Sequence, residues 1–291
     1  MFTSLLIAPA STGLADDLVA FLQRRFAGGE LRWLAASEAV EFDFEALPED
    51  RWTVWESCQA RGVDMVILPA DRRRKKMLLA DMDSTMIQQE CIDELAEEAG
   101  VGARVKEITA RAMNGELDFD GALRERVGLL KGLPEAIIDK VIAERITLMP
   151  GGKTLLATMK ANGAHAALVS GGFTAFTARV SEMLGFDENR ANRLLVEGGV
   201  LTGEVGQPIL GKQAKVDALE DITARLNISD LDVIAVGDGA NDLGMLGRAG
   251  MGVALHAKPA VAVECDIRIN FCDLTALLYL QGYGASAFVN V

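Results

Sequence analysis

Two short acidic segments, far apart in the chain, contain the residues best suited to chemistry. They are Asp81-Met82-Asp83-Ser84-Thr85 and Gly237-Asp238-Gly239-Ala240-Asn241-Asp242. Each follows an apolar run, which is where a strand of an open α/β sheet would end and where such sheets bind ligands. Because side chains alternate along an extended strand, Asp81 and Asp83 point to the same side. The two segments therefore predict a single site.

Carboxylates arranged in this way suit the hydrolysis of a phosphate ester. One can attack phosphorus and form an aspartyl-phosphate, and a second can protonate the leaving oxygen and then activate water. Mg²⁺ would neutralise the phosphoryl oxygens, since it is usually held by one or two carboxylates. Asp238 is interpreted as a metal ligand, with Asn241 and Asp242 supporting the metal and orienting the substrate. Alone, Asp81 would more often belong to an Asx turn or a helix cap; the second segment favours catalysis.

Two further segments could bind the phosphate. Ser170-Gly171-Gly172 follows a predicted strand and opens a predicted helix, so its hydroxyl and N–H groups would form a phosphate seat. The alternative is a tight turn in which Ser170 is an N-cap. Lys215 falls in the first turns of a later helix and could reach a phosphate as a point charge, although Lys212 competes for this role.

Two charged residues of predicted helices could bind the rest of a substrate. Glu90 could bind an amino group, and Arg126 could bind a carboxylate through its planar guanidinium. From the residues alone, both are more commonly solvated helix charges. His165 and His256 are interpreted as structural.

The composition restricts the class of function. The chain has 291 residues, half of them apolar, and a net charge of −13, which allows a sizeable core in one or two domains. Such acidity argues against a nucleic-acid partner, because phosphates demand a basic face. The basic run Arg72-Arg73-Arg74-Lys75-Lys76 could bind nucleic acid or a membrane, but is interpreted as a solvated linker.

The four cysteines indicate a reducing compartment. Cys58, Cys91, Cys265 and Cys272 have neither C-x-x-C pairing nor zinc spacing. The start of the chain lacks the basic and apolar regions of a signal peptide, and no segment has the length of a transmembrane span. We expect a cytoplasmic protein without a membrane partner.

The first 70 residues form a predicted small domain. The expected strands are Ser4–Ala8, Leu31–Ala36, Val40–Phe44 and Asp64–Leu68, and the expected helices are Leu14–Phe26 and Glu49–Arg61. The order β-α-β-β-α-β is that of a ferredoxin-like module.

Residues 71–291 form the predicted catalytic domain. After the strand that precedes Asp81, the expected helices are Glu90–Ala99, Arg104–Met113, Phe119–Leu130 and Pro134–Arg145, with Gly100 and Gly115 at C-cap positions. These predict a helical cap inserted at about 88–148. Beyond Pro150, strands expected at Ala164–Val169, Asp232–Val236, Met251–Leu255 and Asp266–Asn270 alternate with helices, and a hairpin is expected at Arg193–Val205. The predicted fold class is α/β: a Rossmann-like core with a parallel sheet and an inserted helical cap, plus a small N-terminal α+β domain.

These motifs resemble those of the haloacid dehalogenase superfamily of aspartate-nucleophile phosphatases, and within it those of the phosphoserine phosphatases. The resemblance runs from about Met77 to Leu280. Besides the two acidic segments, it rests on Glu90-Cys91-Ile92-Asp93-Glu94-Leu95-Ala96, Leu123-Arg124-Glu125-Arg126-Val127, Val169-Ser170-Gly171-Gly172-Phe173 and His256-Ala257-Lys258-Pro259. Many members have Phe where this chain has Met82, an apolar exchange.

The resemblance implies a role for each candidate residue. Asp81 would be the nucleophile and a Mg²⁺ ligand. Asp83 would be the general acid/base and would bind Mg²⁺ through its backbone carbonyl, with Asp238 as the third ligand. The phosphoryl group would be held by Ser170, Gly171 and Lys215, with Asn241 nearby. Glu90 would bind the ammonium group of the substrate and Arg126 its carboxylate, which reverses the interpretation from the residues alone.

The implied activity is Mg²⁺-dependent hydrolysis of O-phospho-L-serine, the last step of serine biosynthesis. Similar enzymes often carry an ACT-like module at the N-terminus, which here could bind an amino acid, form a homodimer or simply pack on the core. Two alternatives stay open: a phosphotransferase that passes the phosphoryl group to another alcohol, and a non-catalytic amino-acid sensor.

Overall fold

The N-terminal part of the chain folds into a four-stranded antiparallel sheet with two helices. The computed structural model describes residues 1–113 and 116–290. The elements are β1 (Phe2–Ile7), α1 (Asp16–Arg25), β2 (Arg32–Ala35), β3 (Ala39–Phe44), α2 (Arg51–Gln59) and β4 (Asp64–Pro69). The strands lie in the order β2-β3-β1-β4. Because buried residues alternate between the two faces, one face packs on α1 and α2 and the other on the rest of the protein.

The remainder of the chain builds a parallel sheet. In chain order its elements are β5 (Met77–Ala80), α3 (Cys91–Glu98), α4 (Gly102–Met113), α5 (Phe119–Gly128), α6 (Ala136–Arg145), α7 (Gly152–Ala161), β6 (His165–Phe173), α8 (Thr174–Leu184), β7 (Glu188–Asn192), β8 (Leu194–Glu197), β9 (Val200–Val205), α9 (Lys212–Leu226), β10 (Val233–Gly237), α10 (Leu243–Arg248), β11 (Met251–Leu255), α11 (Pro259–Ala262), β12 (Ile267–Ile269) and α12 (Ala276–Leu280). Six strands pair in the order β12-β11-β10-β5-β6-β7, all in parallel.

Helices α3 to α6 are inserted between β5 and the α7–β6 unit. The chain leaves the core and returns to it at one place, because Ile87 and Leu148 form an antiparallel bridge. The Met149 N–H also donates to the Met86 carbonyl at 2.9 Å. The insertion therefore stands on a two-stranded stem, here called the cap stem.

The predicted fold class is confirmed: a parallel α/β core is joined to a separate antiparallel sheet with the expected β-α-β-β-α-β order. Gly100 ends α3 with a φ of +70°, as expected for a glycine after a helix. Gly115 lies outside the described residues. The hairpin of β8 and β9 turns at Gly198 and Gly199, as predicted.

Two elements differ from expectation. The strand expected to end at Val169 continues as β6 to Phe173, so Ser170 lies within the strand and α8 begins only at Thr174. Strand β7 was not predicted, because its segment Glu188-Asn189-Arg190-Ala191-Asn192 has no apolar run. This edge strand is only partly buried, so it lacks the hydrophobic signal of a central parallel strand.

The basic run at 72–76 is a solvated linker only in part: Arg72, Arg74 and Lys76 are exposed, whereas Arg73 and Lys75 are not, which corrects the prediction for these two residues. Arg73 donates to the carbonyls of Tyr279 and Leu280, both at 2.9 Å, and pairs with Glu41 at 2.7 Å. Lys75 is buried and donates to the Leu231 carbonyl. Long side chains can bury their apolar stems in this way, and Arg73 thereby links β3 of the N-terminal sheet to α12.

Within the described ranges, every helix is too short or too polar to cross a membrane.

Candidate active site

Asp81 and Asp238 follow neighbouring strands of the parallel sheet. In the pairing of β5 with β10, Ala80 lies opposite Val236, and the Asp81 N–H donates to the Val236 carbonyl at 3.0 Å. The sheet grows outward in both directions from this pair, which makes the pair the topological switch point, where such sheets bind ligands. The structure thus brings the two acidic segments together.

Lys215 lies at the centre of this acidic group. Its Nζ is 2.6 Å from Oδ1 of Asp81 and 2.5 Å from Oδ1 of Asp242, and the residue is 1% exposed. Burial lowers the pKa of the ammonium group, but the two carboxylates outweigh burial and raise it. Lys215 does not line the cavity beside Asp81, whereas the competing Lys212 is exposed at the start of α9.

The acids around Lys215 could hold a metal ion. Asp81, Asp238 and Asp242 each offer a carboxylate oxygen within 4.8 Å of the others. Burial, assisted by Asp242, raises the pKa of Asp238 to about 6, and burial also raises the pKa of Asp81 well above its ordinary value. The three carboxylates carry more negative charge than the single buried ammonium group of Lys215 can balance. Such a set of oxygen donors suits a hard divalent cation. The Asp83 carboxylate lies outside this group of three, and a metal contact through its backbone carbonyl stays a prediction.

Asp83 lies beside this group and is fixed by two hydrogen bonds. Its Oδ1 accepts the Cys91 N–H at 2.8 Å, and its Oδ2 accepts the Ser170 hydroxyl at 3.2 Å. Burial and the charge of Glu90 raise the pKa of Asp83 to about 6. A Cβ at Gly172 would lie 2.8 Å from Oδ2, so the absence of a side chain there lets the strand approach. A carboxyl group with this pKa can both give and take a proton near neutral pH.

Ser170 and Gly171 lie at the end of β6, facing the acids. The expected helix N-terminus is not there, and the Ser170 hydroxyl accepts the Gly172 N–H at 2.8 Å instead of capping α8. Asn192 fixes this segment, because its Nδ2 donates to the Gly171 carbonyl at 2.8 Å and to the Leu210 carbonyl at 3.1 Å. This ties the Ser170 segment to the approach to α9.

Glu90 and Arg126 face the acids from the cap. Glu90 precedes α3 and accepts the Ser84 hydroxyl at 2.9 Å. Arg126 lies in the last turn of α5, where burial lowers the pKa of its guanidinium and the charges of Asp93 and Glu90 oppose that shift. Arg126 is partly buried, and Glu90 is exposed, but both line the same cavity.

A cavity of about 200 Å³ separates the cap from the strand ends. Its size suits a metabolite smaller than a drug-sized ligand. It is lined by Asp81, Asp83, Glu90, Ile92, Phe119, Leu123, Arg126, Ser170, Gly171, Gly172, Phe173, Asp238, Gly239, Asn241 and Lys258. The structure therefore gathers the predicted site residues at this cavity except Lys215 and Asp242, and these two lie in contact with each other directly behind Asp81.

Two residues at the site, Lys258 and Asn192, were not among the predicted candidates. Lys258 lines the cavity, with its Nζ 3.9 Å from Oδ2 of Asp238. It belongs to a motif already quoted, but an exposed lysine carries no signal of its own. Asn192 is 1% exposed, and its position became meaningful only once β7 was known.

Known proteins are similar to this chain in sequence and in fold. The family model of the haloacid dehalogenase-like hydrolases matches residues 78–247. Over 204 residues the chain is 47% identical to the phosphoserine phosphatase of Haemophilus influenzae, covering 70% of this chain and 65% of that protein.

Two solved structures are also similar. The haloacid dehalogenase family hydrolase t0658 from Salmonella enterica serovar Typhi has a TM-score of 0.88 and 33% identity, covering 96% of this chain and 98% of that one. A phospho-aspartyl intermediate analogue of a phosphoserine phosphatase has a TM-score of 0.66 and 44% identity, covering 71% of this chain and 98% of that one. The matches to the H. influenzae protein and to two further curated relatives cover only 65%, 63% and 60% of their lengths.

Proposed function

This chain belongs to the haloacid dehalogenase-like hydrolase family, and on that premise we propose that it is a phosphoserine phosphatase. It hydrolyses O-phospho-L-serine to L-serine and phosphate, in the last step of serine biosynthesis. The observation that carries this proposal is the pairing of an acidic catalytic group with Glu90 and Arg126 across one small cavity. Relatives with this activity that are 41 to 48% identical support it.

Asp81 is the proposed nucleophile. Its Oδ1 accepts the Met82 N–H at 2.8 Å and contacts Lys215 at 2.6 Å, so we assign the attack to Oδ2. A bond forms between Oδ2 and phosphorus while the ester bond to the serine oxygen breaks. Splitting the hydrolysis at a phospho-Asp81 intermediate divides a difficult step into two easier ones.

Asp83 is the proposed general acid and base. Its carboxyl group donates a proton to the departing serine oxygen, and the resulting carboxylate then takes a proton from the water that attacks phospho-Asp81. The pKa of about 6 suits both transfers. The hydrogen bonds from Cys91 and Ser170 keep the carboxyl group in place for both.

Mg²⁺ is the proposed metal. Asp81, Asp238 and the backbone carbonyl of Asp83 would hold it, and Asp242 would support them while it accepts the Gly239 N–H at 2.9 Å. When bound, the ion neutralises charge on the phosphoryl oxygens. Ser170, Gly171, Lys215 and Asn241 bind or neutralise the same group from the protein side.

Glu90 and Arg126 are the proposed determinants of specificity. Arg126 binds the substrate carboxylate through its planar guanidinium and Glu90 binds the ammonium group. A phosphate ester without an amino-acid head would leave both charges without a partner, which disfavours its binding.

The remaining assignments concern the whole chain. We propose a domain boundary near residue 70 and a cap at about 88–148. We also propose a cytoplasmic location, because Cys58, Cys91, Cys265 and Cys272 are all buried free thiols, which is usual in reducing compartments. The N-terminal domain could form a homodimer, and the net charge of −13 argues against a nucleic-acid partner.

The test is phosphate release, with and without Mg²⁺, from L- and D-phosphoserine, phosphothreonine, phosphotyrosine, sugar phosphates and an aryl phosphate. We expect Mg²⁺-dependent preference for L-phosphoserine, and no turnover by Asp81→Asn. Activity on the other esters without activity on phosphoserine would overturn the substrate assignment while keeping the chemistry. Transfer of phosphate to an added alcohol would favour the phosphotransferase alternative.

A further inference from the structure

The backbone of the loop after β12, residues 270–275, is held by one buried carboxylate of the N-terminal domain, Asp64, while Gln59 on α2 accepts only the side-chain amide of Asn270, at 2.7 Å. Asp64, the first residue of β4, is 0% exposed. Its Oδ1 accepts the Asn270 N–H at 2.8 Å, and its Oδ2 accepts the N–H groups of Phe271 and Cys272 at 3.1 and 3.0 Å. An ionised acceptor makes stronger hydrogen bonds than a neutral one, so three successive backbone groups of this loop are fixed from outside the catalytic domain.

The same loop supports the base of the cap stem. The Leu274 N–H donates to the Pro150 carbonyl at 3.1 Å, directly after the returning strand of the stem. Gly151 has a φ of +79°, and a Cβ there would lie 2.7 Å from the Thr275 nitrogen. The point at which the chain returns from the cap therefore rests directly on the loop that Asp64 holds.

The loop also positions a segment that lines the active site. The imidazole Nε2 of His256 is 2.9 Å from the Cys272 carbonyl, and the His256 N–H donates to the Ile269 carbonyl at 2.8 Å. Two residues later, Lys258 lines the cavity, and its N–H lies 3.4 Å from the Asp238 carbonyl. Fixing Cys272 thus fixes the segment 256–258 beside Asp238.

We propose that Asp64 is a positioning residue, through which the N-terminal domain sets both the base of the cap stem and the place of Lys258 in the active site. Two series of contacts start from the loop that Asp64 holds. One runs from Leu274 to Pro150, and the other runs from Cys272 to His256. Only the effect of Asp64 on turnover rests on the proposed function; its effect on local structure does not.

The other interpretation is that Asp64 merely joins the two domains, and Arg73 offers a matched comparison. Arg73 crosses the same junction with three polar contacts, to Glu41, Tyr279 and Leu280. None of these contacts involves residues 270–275. Arg73→Met should therefore loosen the junction without releasing the loop.

The experiment is hydrogen–deuterium exchange on the full chain, comparing Asp64→Asn, Asp64→Ala and Arg73→Met with the unaltered protein. Asn retains the size of Asp64 but is a neutral acceptor and directs an NH₂ group at one of the N–H groups, so it releases part of the loop without opening a cavity. We expect exchange at 147–152 and 254–258 to accelerate about tenfold in Asp64→Asn. In Arg73→Met the same peptides should be unchanged while the thermal midpoint falls.

Turnover gives the second readout. In Asp64→Asn, kcat for phosphoserine and for an aryl phosphate should both fall about tenfold, because both depend on the placement of the cap and of the segment 256–258. If Asp64→Ala fails to fold, the comparison of Asp64→Asn with Arg73→Met is sufficient to test the proposal. Equal exchange at 147–152 and 254–258 in the Asp64→Asn and Arg73→Met variants would overturn the proposal. If the unaltered protein does not hydrolyse phosphoserine, only the proposed function is refuted. The exchange measurement then still tests the positioning role of Asp64.

Discussion

The Lys215 ammonium group and the Asp81 carboxylate form a buried contact of 2.6 Å directly behind the proposed nucleophile. Asp242 completes the arrangement on the other side of Lys215, at 2.5 Å. The Lys215 ammonium group thus neutralises part of the charge of two buried carboxylates, those of Asp81 and Asp242. Its removal would leave their negative charge without compensation.

Lys215→Met is therefore expected to destabilise the protein and to abolish turnover. Breaking a buried pair by removing one partner costs about 3–5 kcal/mol, because an uncompensated charge stays buried. Urea unfolding followed by circular dichroism measures the stability, and phosphate release measures the activity. The exposed Lys212, three residues earlier on α9, is the matched control, and Lys212→Met should change stability by less than about 0.5 kcal/mol. Equal effects at the two positions would contradict the central role of Lys215.

Gly172→Ala is expected to displace the general acid and base. The new methyl group would lie 2.8 Å from Oδ2 of Asp83 and 3.1 Å from the Ser170 hydroxyl, so at least one of them must move. A displacement of this kind at a catalytic group lowers kcat by roughly 100-fold. Gly247→Ala, where a Cβ meets nothing within 4 Å, should leave kcat unchanged. A normal kcat for Gly172→Ala would show that Asp83 does not need its present position.

Arg126→Ala is expected to affect phosphoserine far more than an aryl phosphate. Because the substrate carboxylate loses its partly buried guanidinium partner, kcat/KM for phosphoserine should fall by roughly 100-fold, whereas an ester without a carboxylate has no such contact to lose. The control is Arg124→Ala, which changes an exposed residue of the same helix outside the cavity lining. Equal losses on the two substrates would remove the reason for assigning an amino-acid head group to the ligand.

The N-terminal domain is expected to lose stability in acid through Asp43. Hydrogen bonds from Arg32, at 2.9 Å to each carboxylate oxygen, hold the pKa of Asp43 below its ordinary value of 3.8. Because the folded-state pKa is the lower one, the stability that this group contributes is present above 3.8 and is lost as the pH falls through the folded-state value. The contribution is small, since both side chains are partly exposed.

Tryptophan fluorescence can measure this loss. The three tryptophans of the chain, Trp33, Trp52 and Trp55, all lie in the N-terminal domain, so their emission follows its unfolding. Urea midpoints recorded from about pH 5 down to about pH 3 should fall less steeply for Asp43→Asn than for the unaltered protein. Parallel curves would show that Asp43 does not titrate with unfolding.

Much of the fold and of the candidate site could be predicted because their signals are local. The acidic residues after β5 and β10 meet since parallel strands end at the same edge, which the sequence already indicates. The positions of Glu90 and Arg126 needed the resemblance to a family, because nothing local distinguishes them from surface charges.

The errors concern contacts between distant segments. Arg73 is predicted from the sequence to belong to a solvated linker, because its contacts with α12 lie far away in the sequence. Asp64 is correctly predicted at the start of a strand, but its contacts with the loop after β12 have no local signal. The end of β6 was misplaced because Ser170-Gly171-Gly172 resembles a turn, whereas hydrogen bonds from Asn192 on β7 hold it against the sheet. Such contacts depend on tertiary structure, which no local pattern encodes.

The bridge between Ile87 and Leu148 has a consequence for how the protein could vary. Bridged antiparallel residues lie about 5 Å apart. The two ends of the helical insertion are therefore as close together as the ends of a short hairpin turn, and the insertion places no further geometric demand on the core sheet. The length and content of the insertion are therefore separated from the folding of the sheet. Exchange of the cap between related proteins at this stem should alter the choice of ester while leaving the bond-breaking chemistry in place.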